Sequence, residues 1–528
     1  MDGADSTAIR RSRKRGRHVL RDVAFLCLGG VIATSYVVPT FITQDDVTAA
    51  QHSNGQLNVL TRSQPSSPAP DGFFNNERVY YRKHVDHSSV HCVGETHARM
   101  LKNVDDSWQY RSCKFQNLCF DVAKKEYVLF QSPAGQTLLN MLEQSQQGNI
   151  STSTLMSQNT EVSLGGINAK WGSGKDRLKW FPRIISPSSD EYRGRGYYAL
   201  SDDIVLIPHH QLNGMNPGHL VWDDFLPIFN LLRMFYGSAM KQRPLLIRTV
   251  LDPPLWATCD TMEWRKEVCA KVVPKFLPLM GISGETYLTT DESFLNVTHG
   301  LQKSDLICGA NGAAGMGALT DHGPTKLHGW QKDDYDEIFN HGRGPLLLDF
   351  RNYMLQNIGI PWETPMVNKD AKFRITFATN SSRFRVTDFQ THVDALNQSV
   401  LSDEIEIHRY KMSDLSLKDQ VSIASNSAIY VTAAGGGAVT GMFLPEGASL
   451  IVFYAVDGSR IRNKPTGLPA LLDFDILNNL SYIRVHWIPM PTEFDKSSGE
   501  FVFSPLELET FVELVKHELH QMRRSRSS

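Results

Sequence analysis

Residues 428–445 read AIYVTAAGGGAVTGMFLP, in which three consecutive glycines separate two apolar runs. The first run predicts a buried strand over Ala428–Thr432, and the residues after the glycines predict a short helix and then a strand. Consecutive glycines let a backbone approach a ligand closely, and a helix that begins there offers free N–H groups and a positive dipole end. We therefore expect a diphosphate-binding turn at Gly435, Gly436, Gly437 and Thr440. A tight turn packed under a neighbouring helix is the alternative.

Outward from this stretch, extended apolar runs alternate with helical patterns. The predicted strands are Asp203–Pro208, Pro244–Val250, Phe373–Ala378, Ala428–Thr432 and Ala448–Tyr454, and the predicted helices include Val221–Tyr236 and Leu346–Ile358. Such alternation favours an α/β protein with parallel sheets. The polar stretch Pro361–Lys372 contains two prolines and is the predicted domain boundary.

The N-terminal residues have the pattern of a membrane anchor. A basic tail over residues 1–22 precedes an uncharged, largely apolar run from Val23 to Ile42. A helix of roughly 20 residues spans about 30 Å, the thickness of the bilayer core, and the basic side stays in the cytosol. Residues 43–75 are rich in Gln, Ser and Pro and predict an extended stem. A cleaved signal peptide is the alternative.

Cysteine usage and sequons agree with a luminal location for the residues after the predicted anchor. The chain has 528 residues, 41% of them hydrophobic, and a formal net charge of −2, so we expect two or more domains and no nucleic-acid partner. Six of its seven cysteines follow residue 42 and can form three disulfides whose pairing is left open. A zinc site is the alternative, but the sequence has no C-x-x-C. Sequons occur at Asn149, Asn296, Asn380, Asn397 and Asn479.

Residues 216–227, NPGHLVWDDFLP, carry the candidate catalytic groups. Asn216 and Pro217 predict the start of a helix, on which His219 and Asp223 share one face four residues apart. A carboxylate beside an imidazole orients the ring and raises its basicity, as a general base requires. We therefore predict catalytic roles for His219, Asp223 and Asp224. The alternative is a capped helix whose polar first turn is solvated.

Two further stretches are weaker candidates. Arg383 and Asn380 follow the predicted strand Phe373–Ala378, where an arginine could pair with a pyrophosphate. The glycine-rich residues Gly309–Gly317 could contact a ligand, and a mobile loop or a compact turn is at least as good an interpretation.

Together these stretches resemble glycosyltransferase family 61, which includes animal O-linked N-acetylglucosaminyltransferases. The resemblance begins at Cys92 and the segment SCKFQNLC over residues 112–119. It continues through residues 216–227, which are similar to the family's N-x-x-H-x-x-x-D-D/N-L-L-P, and ends in the glycine turn before Pro445. Two departures mark a divergent relative. Ala434 stands where the family has a histidine, and the arginine segment fits in two registers, which place either Asn380 or Arg383 at the expected arginine.

The resemblance implies a GT-B fold, in which two Rossmann-like domains face a cleft, and an inverting transfer from a nucleotide sugar to a glycan or glycoprotein. It implies Golgi or endoplasmic reticulum residence, with no metal or other cofactor, because GT-B enzymes generally stabilise the leaving group with helix N-termini and basic side chains. Asp202-Asp203 and Asp223-Asp224 are adjacent pairs, and we do not interpret either as a metal-binding D-x-D motif. The domains would be residues 76–360 on the acceptor side and residues 361–490 on the nucleotide-sugar side. A non-catalytic, membrane-anchored glycan-binding or scaffolding protein of the same fold is the alternative, motivated by Ala434.

The C-terminal segment, residues 491–528, predicts a long amphipathic helix. Ser504, Pro505 and Glu507 have the spacing of a capping box with proline in the first turn. The apolar residues that follow share one helical face: Leu508, Phe511, Val512, Val515 and Leu519. By analogy with two-domain transferases, we expect this helix to cross back to the first domain.

The predicted topology has a direct test. With the basic tail in the cytosol, everything after Ile42 lies in the lumen, where sequons are glycosylated. Digestion with an N-glycosidase should therefore raise the electrophoretic mobility of the full-length protein. Complete digestion of the chain by protease added to the cytosolic side of intact vesicles would contradict this topology.

Overall fold

The computed structural model describes residues 79–82, 87–93, 111–131, 162–164, 179–186, 188–211, 214–238, 240–248, 259–282, 287–289, 306–315, 342–362, 372–379, 388–400, 403–454, 475–491, 494–495 and 500–527. Among these residues, no helix has the length and apolar character needed to cross a bilayer. The predicted anchor, stem, Asn380 and Arg383 lie outside the described residues, so the structure does not test them.

Nineteen strands occur in the described part of the chain. Those before residue 320 are β1 (Val79–Arg82), β2 (Ser89–Val93), β3 (Ser112–Gln116), β4 (Leu118–Asp121), β5 (Glu126–Phe130), β6 (Val162–Ser163), β7 (Lys179–Trp180), β8 (Arg183–Ile185), β9 (Tyr197–His209), β10 (Arg243–Arg248), β11 (Tyr287–Thr289) and β12 (Leu306–Ala314). Those after it are β13 (Phe373–Thr379), β14 (Ile405–Lys411), β15 (Ile429–Ala433), β16 (Ser449–Tyr454), β17 (Arg484–Pro489), β18 (Phe494–Asp495) and β19 (Glu500–Phe501).

The described helices connect these strands. They are α1 (Pro217–His219), a π-helical segment (Leu220–Phe225), α2 (Leu226–Tyr236), α3 (Glu263–Phe276), α4 (Gly344–Asn357), α5 (Gln390–Ser399), α6 (Leu417–Ser425), α7 (Gly436–Thr440), α8 (Asp475–Asn478) and α9 (Pro505–Ser527). Short 3₁₀ segments are Leu277–Met280, Met412–Asp414 and Gly441–Phe443.

The first large sheet is mixed and has ten strands, with the order β11-β10-β9-β12-β4-β5-β8 along its main path. Strands β11, β10, β9 and β12 pair in parallel, and β1, β3 and β4 pair antiparallel with β9 or β12. At the far edge, β8 pairs in parallel with β5. His209 and Arg248 are register partners at the carboxyl ends of β9 and β10. Two polar side chains are therefore side by side at the sheet edge where ligands bind in open α/β sheets.

The second large sheet has five strands, all parallel, in the order β14-β13-β15-β16-β17. Numbered along the chain this order is 2-1-3-4-5, that of a doubly wound sheet whose topological switch point lies between its first and third strands. The segments that follow β13 and β15 both leave from this point. The predicted Arg383 segment and the glycine turn are those two segments.

The structure confirms the predicted α/β class, and the predicted strands agree with β9, β10, β13, β15 and β16 to within a few residues at most ends. The predicted helix Leu346–Ile358 corresponds to α4. The loop and turn interpretations of the glycine-rich stretch are wrong for Gly309 to Ala314, because these residues lie in strand β12, and a ligand contact stays a prediction. A Cβ at Gly312 would stand 2.8 Å from a methyl group of Leu118, so the glycine allows close packing here.

One buried apolar cluster contains residues of both large sheets. It includes Val205 of β9, Phe229 of α2, Phe350 of α4 and Leu450 of β16. Helix α4 precedes the predicted boundary Pro361–Lys372, yet Arg351 on this helix donates from Nε to the Phe443 carbonyl at 3.2 Å. The two halves therefore share a core, and the division into two domains at residue 361 stays a prediction.

The six cysteines after residue 42 are paired two by two, as the sequence predicts. The disulfides are Cys92–Cys113, Cys119–Cys308 and Cys259–Cys269. The first two join register partners on adjacent antiparallel strands. The third joins the loop after β10 to helix α3. A disulfide typically contributes about 2–4 kcal/mol to stability.

The C-terminal helix begins with the predicted capping box. The Ser504 backbone N–H donates to Glu507 Oε2 at 2.7 Å, and the Glu507 N–H donates to Ser504 Oγ at 3.3 Å. Its buried apolar residues belong to the cluster of the five-stranded sheet: Phe511, Val512, Val515, Leu519 and Met522. Glu518, also buried, accepts from Arg484 Nε at 2.5 Å. These contacts tie α9 to the C-terminal half, whereas the sequence predicted a helix that crosses back to the first domain.

The same cluster encloses a histidine. The imidazole of His392 on α5 is 1% exposed and lies among four phenylalanine rings at centroid distances of 4.3–5.5 Å: Phe389, Phe453, Phe503 and Phe511. Within the described residues neither of its ring nitrogens has a hydrogen-bond partner. Burial lowers the pKa of His392 to about 4.

This histidine should make the fold sensitive to acid. The unfolded chain binds a proton at His392 near pH 6.5 and the folded protein only near pH 4, so stability falls as the pH falls through this window. His392→Leu should remove the loss. The free energy of unfolding of this variant should therefore rise relative to the parent, by up to about 3 kcal/mol between pH 6.5 and pH 4. Urea denaturation at several pH values measures it, with exposed His520→Leu as the control. Parallel pH profiles for parent and His392→Leu would contradict the prediction.

Candidate functional site

The helix that carries the candidate base begins as the sequence predicts. The Asn216 side chain accepts a hydrogen bond from the Gly218 N–H at 3.0 Å, and Pro217 occupies the first turn. The helix then widens into the π-helical segment, where the Leu226 N–H donates to the Val221 carbonyl. Pro227 has no N–H and its ring crowds the carbonyl four residues earlier, which favours this wider turn.

His219 and Asp223 form the predicted pair. His219 Nδ1 lies 2.6 Å from Asp223 Oδ2, and the side chain of Asp223 is 1% exposed whereas that of His219 is 14% exposed. A carboxylate on Nδ1 fixes the tautomer that leaves the Nε2 lone pair to accept a proton. The arrangement can therefore act as an oriented general base whose imidazole is partly exposed.

The third predicted residue, Asp224, faces a different partner. Its carboxyl group is 1% exposed, and its Oδ1 lies 3.5 Å from Nε2 of His209 at the end of β9. Burial, and then the charge of Asp223, raises the pKa of Asp224 well above its usual range. Burial, with His210 and Arg248 adding to it, lowers the pKa of His209 to about 3. Both shifts favour the neutral form of the group concerned, so burial disfavours an ion pair at this contact.

Arg248 completes this buried polar group. Its guanidinium donates two hydrogen bonds to Asp260, at 2.7 Å and 2.8 Å, and both side chains are at least nine-tenths buried. Sequence reasoning missed His209, Arg248 and Asp260 as part of the site. One signal was present, because His209 directly follows the apolar run DIVLIP and so lies at the carboxyl end of a buried strand.

The glycine turn has the predicted strand–turn–helix form. Strand β15 ends at Ala433, and helix α7 begins at Gly436. Gly435 between them has a backbone φ of +143°, which residues other than glycine rarely adopt. A Cβ at Gly436 would meet no heavy atom within 4 Å, so this face of the turn is open to a ligand. Gly437 and Thr440 are buried, and donor contacts from these residues stay predictions.

The structure brings the glycine turn and the His219 helix together. Helix α7 contacts α1, and a Cβ on the buried Gly218 would stand 3.6 Å from Cγ2 of Val439. The candidate base and the candidate diphosphate site thus lie on neighbouring helices. One helix follows the carboxyl end of β9 in the first sheet, and the other follows the carboxyl end of β15 in the second. Ala434, at the position of the family histidine, is 9% exposed and its N–H donates to the Phe453 carbonyl at 2.7 Å.

Among the residues that the structure describes, one group of acidic side chains could hold a metal ion by distance alone. It consists of Asp121, Glu126 and Glu191. Arginine side chains already engage these carboxylates, since Arg195 Nη1 lies 2.8 Å from Asp121 and Arg183 Nη2 lies 2.7 Å from both glutamates. This group is a network of ion pairs on the first sheet, and it contains none of the candidate site residues.

Comparison with known proteins supports the resemblance. A stretch of 159 residues, 30% of this chain, is 29% identical to the EGF domain-specific O-linked N-acetylglucosamine transferase of Gallus gallus and covers 27% of it. The protein of the same name from Pan troglodytes is 29% identical over 115 residues, 22% of this chain and 21% of its own length. No family model matches the chain.

A longer and weaker similarity covers both halves. The chain is 20% identical over 373 residues to the Protein O-linked-mannose beta-1,4-N-acetylglucosaminyltransferase 2 of Canis lupus familiaris, which is 69% of this chain and 51% of that protein. The matches thus span about a quarter of the length of the first two relatives and about half the length of the third. They confirm that the chain is a distant relative of O-linked N-acetylglucosaminyltransferases, which belong to the family that the sequence resembles.

Proposed function

We propose that this chain is an inverting glycosyltransferase that moves a sugar from a nucleotide sugar to a hydroxyl group of a glycan or glycoprotein in the secretory pathway. The observation that carries the proposal is the contact between α1 and α7, which sets the His219–Asp223 pair beside the open glycine turn. The named activities of the relatives support the same class of reaction.

In this mechanism His219 acts on the acceptor. Its Nε2 takes the proton of the acceptor hydroxyl as the oxygen attacks the anomeric carbon of the donor. The bond from that carbon to the diphosphate oxygen breaks on the opposite face, and its electron pair leaves with the nucleoside diphosphate. Asp223, 2.6 Å from Nδ1, stabilises the imidazolium that forms. Attack opposite the leaving group inverts the anomeric configuration.

The second half of the site would hold the leaving group. The diphosphate gains charge as the bond breaks, and backbone N–H groups at the start of α7 stabilise it without a metal. We assign this role to Gly435, Gly436 and Gly437, with Thr440 close by. Arg383 would approach from the segment after β13, because the carboxyl ends of β13 and its neighbour β15 meet at one sheet edge.

The remaining parts of the proposal concern location and architecture. The basic tail and apolar run before residue 43 favour a single-pass anchor with a luminal enzyme, in the Golgi or endoplasmic reticulum. Three disulfides fit an oxidising compartment. One parallel sheet, a second sheet with a parallel centre and a site between them favour the GT-B architecture. The sugar-binding protein without catalysis remains the second candidate, and Ala434 is the residue that favours it.

Two substitutions separate the roles of the two halves. His219→Ala should lower turnover by roughly 10²–10⁴ and leave nucleotide affinity nearly unchanged, because the base acts on the acceptor. Gly436→Val should weaken nucleotide binding, because its side chain would stand where the phosphate approaches the backbone. The valine has open space in the unliganded fold, so its effect reports on the ligand. Turnover and calorimetric affinity for nucleoside diphosphates measure both effects.

Controls for this comparison are available in the chain. His520→Ala removes an exposed histidine of α9 and should change neither quantity. The nucleotide affinity of Gly436→Ala should lie between those of the parent and of Gly436→Val. Near-full turnover in His219→Ala, or normal nucleotide binding by folded Gly436→Val, would show that the roles are wrongly assigned. Nucleotide binding by a parent protein that turns over no donor would favour the non-catalytic candidate.

A further inference from the structure

The carboxyl group of Asp224 lies in an unusual environment. Both of its oxygens are buried, and within the described residues neither makes a hydrogen bond. The nearest basic atom with which it pairs is His209 Nε2, at 3.5 Å, and His209 Nδ1 is likewise buried without a hydrogen-bond partner. A buried carboxylate without a cation is costly, so a group in this position holds its proton or takes one from a neighbour.

The charges around Asp224 are already matched in pairs. Arg248 of β10 is held by both oxygens of Asp260 in the loop that follows it. His219 of the same helix is held by Asp223. His210, next to His209 on the chain, is the other titratable group that acts on this pair. Within the described residues, Arg248 and His219 thus each pair with another aspartate, and the charge of Arg248 offsets only part of the cost of burying an ionised Asp224.

We propose that Asp224 and His209 form a neutral pair in which the Asp224 hydroxyl donates to His209 Nε2, and that this pair positions the His219–Asp223 base. Asp224 is then a positioning residue and not a second base. The inference rests on the proposed function for its catalytic part only. The neutral pair links the π-helical segment to the end of β9, and Asp223 is the carboxylate that pairs with His219.

The proposal is tested by three substitutions. Asp224→Leu removes the donor and should lower kcat by up to about 10²-fold, the effect of a small displacement of a catalytic group. Asp224→Asn keeps a neutral donor of the same shape, so its kcat should be close to that of the parent. Asp223→Asn removes a charge next to His219, so it should move the acid limb of the pH–rate profile to lower pH. Asp224→Leu should leave that limb in place.

A charged Asp224 would give the opposite results. Asp224→Asn would then be as damaging as Asp224→Leu, and both would move the acid limb as Asp223→Asn does. Either finding in folded protein would overturn the proposal. The matched pair of asparagine variants, one residue apart on the same helix, controls for local disturbance of the π-helical segment.

Two measurements test the neutral pair without any turnover. The unfolded chain loses the Asp224 proton above about pH 4 whereas the folded protein keeps it, so this residue costs stability as the pH rises. Asp224→Asn removes the cost and should raise Tm relative to the parent, by more at pH 7 than at pH 4. An infrared band of a protonated carboxylic acid should be present in the parent at pH 7 and lost in Asp224→Asn. A lower Tm for Asp224→Asn at pH 7, with no such band in the parent, would overturn the pair even if the protein proves to be no transferase.

Discussion

The candidate site depends on the packing of α1 against α7. Gly218 in the first turn of one helix faces Val439 in the other, and a Cβ at Gly218 would stand 3.6 Å from Cγ2 of Val439, an ordinary van der Waals distance. Around this contact, one apolar cluster joins helices and strands of both large sheets, so the two helices cannot shift independently without opening a core. The candidate base and the glycine turn are therefore fixed relative to each other by packing.

The chemistry of the site follows from where strands end. Parallel strands of both sheets point their carboxyl ends at the region where α1 and α7 start, and helix starts supply N–H groups there. Next to these helix starts, the adjacent carboxyl groups of Asp223 and Asp224 have different partners. Asp223 pairs with a partly exposed histidine, and Asp224 pairs with a fully buried one. Two aspartates one residue apart thus meet opposite environments because the helix wraps into the core at this point.

Local sequence patterns predicted most of the elements that carry the site. The cap at Asn216, the four-residue spacing of His219 and Asp223, the glycine turn and the strands before it are all determined by nearby residues. Long-range packing decided the rest. The glycines of β12 lie in a strand because Leu118 packs where their side chains would be, and no local pattern reports that. His209 and Arg248 come together only through the register of β9 and β10. Disulfide pairing and the docking of α9 on the second sheet likewise depend on the fold.

The central claim is that the glycine turn binds the nucleoside diphosphate and forms a single site with the neighbouring His219 helix. Amide hydrogen exchange of the purified protein, with and without saturating uridine or guanosine diphosphate, tests it most directly. The account predicts slower exchange with at least one nucleotide at residues 434–440, and a smaller slowing at residues 218–223 through the contact of the two helices. Unchanged exchange in the glycine turn with either nucleotide, or protection confined to segments away from both helices, would contradict it.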